Sequence, residues 1–224
     1  IPGLALTMLL YHNDRLMPVL FGVAVAICSK VMFRAPVGDG KTQHIFNPSN
    51  LAIVATLLLF PSIGVAPPYH FTENVTGVWH WLLPCIVLVT GLIVHGGFTG
   101  RLPMVLTWLV AFVIQGQLRR WYFGTSWIVP LTPMTSAAFM VFTLYMIPDP
   151  ATTPVKPLRQ VCFSIAVAAV YGLLLVNHVV YGLFIALAIV CGLRGVALYL
   201  WAAWQSLQVA PQSSTLQPGT ATNA

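Results

Sequence analysis

Long apolar runs separated by short polar turns dominate the sequence, and this pattern limits the possible folds more than any other feature. Between Arg120 and Asp149 there is no charged residue at all. Charged residues make up only 6% of the chain, whereas a water-soluble domain carries about 25%. We therefore predict an integral membrane protein of the all-α polytopic class. Water-soluble enzymes and nucleic-acid-binding proteins are excluded as classes.

A helix that crosses a bilayer needs roughly 20 apolar residues. After an apolar N-terminal run, seven segments reach or approach this length, which gives seven to eight in total. They are Met17–Phe33, Ser49–Ile63, Val78–His95, Leu102–Leu118, Leu131–Ile147, Leu158–Val176 and Val179–Trp204. Ser49–Ile63 is short enough to be re-entrant, so the topology stays open at this point.

Residues 1–209 are predicted to form a single transmembrane domain. The chain starts inside the apolar run Ile1–Tyr11 without an initiator Met. We expect that an N-terminal portion is missing, with a cleaved signal peptide as the alternative. The last fifteen residues, Ala210–Ala224, are rich in Ser, Thr, Gln and Pro, which predicts a disordered tail. Ala35–Gln43 is predicted to be a loop that contains a flexible, solvated turn at Gly38-Asp39-Gly40-Lys41.

The basic residues fall unequally on the two sides of the predicted segments. If every segment crosses, six lie on one side and Arg15, Arg119 and Arg120 on the other. The excess predicts that the first side is cytoplasmic and faces anionic lipid.

Two Asx-Pro steps interrupt the apolar pattern. Asn47-Pro48 opens the run Leu51–Phe60, and Asp149-Pro150 follows the run that ends at Ile147. Proline removes a backbone donor and restricts the residue before it. We predict paired helix breaks at these steps, and such breaks line binding sites in transporters.

Asp149 has two interpretations. It caps backbone amides in a tight turn with the hydroxyls of Thr152 and Thr153, or its carboxylate serves ions or protons. Asn47 is its counterpart, with Asn50 able to satisfy backbone groups that the proline frees. The same groups would offer hydrogen bonds to a bound ring system.

Three other polar residues are candidates for function. His44 is a proton carrier, a cofactor contact or an ordinary loop residue. Arg194 lies well inside the last segment, where an unpaired guanidinium costs several kcal/mol. We predict that it pairs inside the protein or with a phosphate or lipid headgroup, and that Gly192 and Gly195 let another helix approach closely. His95, at a predicted helix end, is expected to be interfacial.

The break segments carry a resemblance to a family. His44-Ile45-Phe46-Asn47-Pro48 resembles the corresponding segment of the RnfD and NqrB membrane subunits. Asp149-Pro150-Ala151-Thr152 resembles their T-D-P-x-T segment, with Pro148 in place of the first Thr. Ala66–Asn74 and Met146–Pro154 also look like the UnbU-like membrane proteins of enediyne biosynthetic clusters. The resemblance covers most of residues 17–200.

The resemblance implies an RnfD/NqrB-like fold in the bacterial cytoplasmic (inner) membrane, with flavin-linked electron transfer coupled to ion movement. In the family, FMN is held through a phosphoester to the Thr of an S-x-A-T motif. That motif is absent here, and the nearest stretch by position has Thr76 without the Ser and Ala. FMN or riboflavin is therefore expected to be non-covalent, if present. The candidate cofactor-binding residues are His44, Asn47, Asn50, Asp149, Thr152 and Thr76.

Three functions follow as hypotheses. The first is a subunit that serves flavin-linked electron transfer within a larger membrane complex. The second is a cofactor-free structural subunit that stabilises an energy-converting or biosynthetic membrane assembly, which the missing S-x-A-T motif and the scarcity of titratable groups favour. The third is a small-molecule transporter. The expected partners are the lipid bilayer and other membrane-protein subunits, with no nucleic acid.

Overall fold

The structure is a computed structural model that describes residues 2–11, 15–38, 40–65 and 76–209. Helices account for 74% of the described residues, which confirms a mostly helical protein. The α-helices are α1 Pro2–Leu9, α2 Leu16–Met32, α3 Pro48–Leu59, α4 Trp79–Ile93, α5 Leu102–Phe123, α6 Ala137–Val141, α7 Pro157–Val176 and α8 Gly182–Val209. The predicted tail Ala210–Ala224 and the segment Ala66–Asn74 of the family resemblance both lie outside the described residues.

Among the described residues, α5, α7 and α8 are long and apolar enough to cross a membrane. This confirms a membrane protein. Three further apolar helices are shorter, namely Leu16–Met32, Pro48–Leu59 and Pro84–Phe98. At about 1.5 Å per residue, the 12 residues of α3 extend about 18 Å, which is less than the roughly 30 Å of a hydrocarbon core.

The predicted span Leu131–Ile147 is not one straight helix. It contains the 3₁₀ helix Val129–Thr135, α6 and the π-helical turn Phe142–Met146, and the first and last parts meet at an angle of 75°. Pro133 interrupts the backbone donors there, and the Ser136 hydroxyl accepts from the Phe139 amide to begin a new helix. If this bent pair counts as one span, the described residues contain up to four candidate membrane spans.

The segment predicted as a loop, Ala35–Gln43, forms most of an antiparallel hairpin. Its strands are β2 (Arg34–Gly38) and β3 (Lys41–His44), while β1 (Leu10–Tyr11) pairs with β4 (Gly64–Val65) elsewhere. Gly38 has a φ of 98°, which glycine adopts at little cost. The hairpin is stabilised by α8, because the Tyr199 hydroxyl donates to the Arg34 carbonyl. The sequence did not predict this partner.

An aromatic core lies between α5, α7 and the bent pair. Trp108 and Phe112 on α5 are fully buried, and Phe112 stacks on Tyr171 of α7 with ring centroids 5.6 Å apart. The indole N–H of Trp108 donates to the Thr143 hydroxyl at 3.0 Å, which satisfies the polar end of a buried ring. This core fixes the π-helical turn Phe142–Met146, and hence the start of the Asp149-Pro150 break, against α5.

Candidate functional site at the paired helix breaks

The side chain of Asn47 caps the start of α3. Its Oδ1 accepts from the backbone amides of Ser49 at 3.0 Å and Asn50 at 3.1 Å. Two of the amides that have no partner inside the helix are satisfied in this way. Pro48 follows in the first turn, where its missing N–H leaves no bond unmade. The predicted break at Asn47-Pro48 is therefore the capped start of a helix.

Asp149 organises the second break as a tight turn. Its carboxylate accepts from the Ala151 amide and the Thr152 hydroxyl, each at 3.1 Å. Its carbonyl accepts from the Thr153 amide at 3.1 Å and the Thr153 hydroxyl at 2.6 Å. Of the two predicted roles of this residue, the structure has the capping role. Both threonines contribute the hydroxyl bonds that the sequence predicted.

The two breaks are joined by one side chain. The Asn47 Nδ2 donates to the carbonyl oxygen of Met146 at 3.3 Å. In an α-helix that continued past Met146, this carbonyl would accept from the amide of residue 150, but Pro150 has no N–H. Asn47 is 6% exposed, so the bond is made out of contact with the surrounding medium. The Asn47 Nδ2 therefore supplies the donor that Pro150 lacks.

A second carbonyl in the same π-helical turn gains a donor from His95. By the same spacing, the Leu144 carbonyl would accept from residue 148, which is also a proline. The His95 Nε2 donates to it instead, which requires a proton on Nε2, and in the neutral ring Nδ1 then accepts from the Thr99 hydroxyl at 3.0 Å. The predicted interfacial position of His95 concerns its depth in the bilayer and stays a prediction. Within the protein its side chain is buried, with 4% exposed, and the bond to the Leu144 carbonyl of a neighbouring segment holds it there.

Arg194 connects the second break to the hairpin. Its guanidinium donates to the Thr152 carbonyl at 2.6 Å and to the Gln43 Oε1 at 2.8 Å. The Gln43 Nε2 in turn donates to the Thr153 carbonyl at 3.1 Å. Of the predicted partners of Arg194, the structure has pairing inside the protein. Gln43 was not among the predicted site residues, and its position directly before His44 was the only signal for it.

The glycines beside Arg194 admit a non-helical segment, that of Ile45 and Phe46, rather than the predicted helix. A Cβ on Gly195 would lie 2.6 Å from the Cγ2 of Ile45, and a Cβ on Gly192 would lie 3.5 Å from the ring of Phe46. The absence of a side chain at Gly195 thus lets the chain between the hairpin and α3 lie directly against α8.

Arg101 anchors the far end of the Asp-Pro turn and was also missed by the sequence analysis as a site residue. It is 3% exposed, and its guanidinium donates to the Pro154 carbonyl. Burial lowers the pKa of Arg101, and the negative charge of Asp149 raises it in part. Gln160 donates to the neighbouring Val155 carbonyl at 2.8 Å. The turn is therefore fixed from the hairpin, α5, α7 and α8.

Three predicted site residues remain, namely Asn50, His44 and Thr76, and their surroundings differ. The Asn50 Nδ2 donates to the Phe184 carbonyl of α8 at 3.0 Å, but its buried Oδ1 has no partner among the described residues. The same holds for the Nδ1 of His44, which lies at the end of β3. Thr76 is exposed just before α4, and no hydrogen bond in the described part of the chain joins it to either break.

This arrangement does not fit a flavin held by Asn47, Asp149 and Thr152. The polar atoms of Asn47, Asp149 and Thr152 already bond backbone groups of the protein, and breaking these bonds would leave buried backbone groups unsatisfied. Among the predicted residues near the breaks, only the Asn50 Oδ1 and the His44 Nδ1 are buried side-chain atoms without a partner in the described structure. Within that part of the chain, no cluster of three His, Cys, Asp or Glu residues suits a metal ion.

No protein-family model matches this chain, and no curated protein matches it either.

Proposed function

We propose that this protein is a structural subunit of a larger energy-converting or biosynthetic membrane assembly, with no cofactor held at its helix breaks. The bond from Asn47 to the Met146 carbonyl carries the proposal. In this bond the Asn47 side chain, a predicted ligand contact, holds two distant segments of the protein together. The paired breaks then serve as a rigid joint that fixes the surface offered to partner subunits.

Exposed apolar helix ends support a role within an assembly. Leu58 and Leu59, in the last turn of α3, are 62% and 63% exposed. Because α3 is too short to span a bilayer, its end brings backbone carbonyls to membrane depth. Such irregular backbone is tolerated where protein or a water-filled cavity covers it. A partner subunit against this end would supply that cover.

The proposal includes an arrangement of seven to eight membrane-embedded segments, similar to RnfD and NqrB, in a bacterial cytoplasmic membrane. The three long spans, the three shorter apolar helices and the bent pair are compatible with that number when α1 is added. The resemblance to this family rests on the segments around Asn47 and Asp149, which are a capped helix start and a tight turn.

The test is purification of a tagged chain from its native membranes in a mild detergent. We expect a stoichiometric complex of higher mass. An Asn47→Asp variant, which cannot donate to the Met146 carbonyl, should give less of the complex. Asn177→Asp is the matched control at an exposed site and should give the same yield as the native chain. A protein that is always isolated alone would contradict the proposal.

Flavin-linked electron transfer is the second candidate function. The buried Asn50 Oδ1 and His44 Nδ1, both without a partner in the described structure, favour it, because an isoalloxazine ring offers hydrogen-bond donors and acceptors. Absorbance and flavin fluorescence of the native complex, before and after denaturation, provide the test. Released flavin would support this function, and no flavin in a preparation that retains its partners would rule out its flavin form.

A further inference from the structure

A basic cleft lies at the opposite end of α5 from the helix breaks. It is formed where the last turn of α5, the 3₁₀ helix Val129–Thr135 and α7 meet, and its volume is about 240 Å³. Phe123, Val129 and Leu175 contribute apolar walls, and Arg119 and Arg120 contribute positive charge. The cleft is open on one side, so a molecule from the surrounding membrane can enter it.

The two arginines keep donors available. Arg119 is oriented by one bond from its Nε to the Gln115 Oε1 at 3.1 Å, which leaves both terminal nitrogens of the guanidinium without a partner in the described structure. Arg120 has no hydrogen bond or ion pair from its side chain to any described residue. The only acid in the described part of the chain, Asp149, lies at the other end of α5 beside Arg101.

Hydroxyl groups add to these donors. Tyr171 and Thr125 line the same cleft, and neither hydroxyl makes a hydrogen bond with the described residues. Tyr171 is close enough to Arg119 for the two groups to interact electrostatically. Two guanidinium groups and two hydroxyls around one apolar cleft match an anion that carries a hydrocarbon part.

The position of the cleft relative to the bilayer indicates the source of this anion. The 22 residues of α5 extend about 33 Å, which places the end of α5 at a bilayer surface. Trp121, Tyr122 and Trp127 beside the cleft are 87%, 78% and 60% exposed, and such aromatic residues are typical of the headgroup level. The available anion at this level is a lipid phosphate.

We propose that the cleft binds the phosphodiester headgroup of an anionic phospholipid. Arg119 and Arg120 pair with the phosphate, the hydroxyls of Tyr171 and Thr125 donate to its oxygens or to the headgroup, and the first part of an acyl chain packs on Phe123 and Leu175. Lipid at this position joins α5, the 3₁₀ helix and α7 at the end of the bundle that lies farthest from the breaks.

The experiment is native mass spectrometry of delipidated protein after addition of phosphatidylglycerol or phosphatidylcholine. We expect the native chain to retain one phosphatidylglycerol at concentrations where it retains no phosphatidylcholine. Arg119→Gln with Arg120→Gln should weaken phosphatidylglycerol binding at least tenfold. Lys156→Gln with Arg159→Gln removes the same charge from exposed positions at the other end of the bundle and should leave this binding unchanged.

Three results would overturn the proposal. They are equal retention of the two lipids by the native chain, undiminished binding in the Arg119/Arg120 variant, and equal loss in both double variants, which would mean attraction by net charge alone. Displacement of the lipid by millimolar inorganic phosphate would assign the site to free phosphate instead.

Because Arg120 makes no bond to the described residues, Arg120→Gln alone should fold normally and bind phosphatidylglycerol several-fold more weakly. Undiminished binding by this variant would also contradict the proposal.

Discussion

The Nδ2 of Asn47 donates to the carbonyl oxygen of Met146, 99 positions later in the chain, at 3.3 Å. The Oδ1 of the same side chain caps α3. One amide therefore satisfies two donors at the start of one helix and an acceptor at the end of another segment. Asparagine has both a carbonyl and an NH₂ group for this purpose, whereas aspartate has only acceptors when ionised.

Replacement of Asn47 separates the two roles. Asn47→Asp keeps the cap but loses the donor to the Met146 carbonyl, and Asn47→Ala loses both. We expect Asn47→Asp to destabilise the fold by about 1–3 kcal/mol, because a buried acceptor is left unsatisfied. Asn47→Ala leaves the same acceptor unsatisfied and also loses the cap, which costs about 1 kcal/mol. Thermal unfolding in detergent measures both, and Asn177→Ala, at an exposed position, should change little.

Arg194 should be needed for its shape as well as its charge. Arg194→Ala removes the donor to the Thr152 carbonyl, which belongs to a residue that is 1% exposed, and we expect a loss of about 1–3 kcal/mol. Arg194→Lys keeps the charge, but its single ammonium cannot reproduce the planar fork that bonds Thr152 and Gln43 together. Its unfolding midpoint should lie between those of the native chain and Arg194→Ala. A midpoint equal to that of the native chain would argue against the fork.

Gly195 and Gly192 form a matched pair for the contact between α8 and the segment before α3. Gly195→Ala would place a methyl group 2.6 Å from Ile45, and we expect about 1–3 kcal/mol of destabilisation from overpacking. Gly192→Ala meets only ordinary contacts at 3.5 Å and should stabilise α8 by up to about 1 kcal/mol. Equal effects of the two substitutions on the unfolding midpoint would contradict the observed packing.

His178 occupies the left-handed region of the backbone, with a φ of 58°, in the exposed turn between α7 and α8. A residue with a Cβ pays roughly 1 kcal/mol or more for this conformation, and glycine does not. His178→Gly should therefore raise the unfolding midpoint, even after the extra freedom of the unfolded chain is counted. The neighbouring Asn177 has a φ of −88°, so Asn177→Gly should lower the midpoint.

Local features of the breaks could be predicted from the sequence because they depend on residues two to four positions apart. The caps at Asn47 and Asp149 are of this kind. The positions of Pro148 and Pro150 also imply that two carbonyls lose their helical donors. The sequence does not state which side chains replace those donors, because that depends on how distant segments pack.

Features that the sequence did not predict also depend on contacts between distant segments. The burial of His95 within the protein is one of them, because it depends on the carbonyl of Leu144 on another segment. The sequence predicts a loop where β2 and β3 form a hairpin, because neither strand has a strong alternating pattern. The bond from the Tyr199 hydroxyl of α8 to the Arg34 carbonyl stabilises this hairpin. Composition predicts which segments span the membrane, whereas contacts between segments determine the structure of short or bent elements.

Hydrogen exchange by mass spectrometry of the native chain and Asn47→Asp tests the joint between the breaks most directly. In the native chain, the amides of Ala151, Thr152 and Thr153 bond Asp149 and should exchange slowly. If Asn47 holds this turn through Met146, Asn47→Asp should accelerate exchange in the peptide that contains residues 149–153 as well as at the start of α3. Faster exchange confined to α3, with residues 149–153 unchanged, would contradict the account.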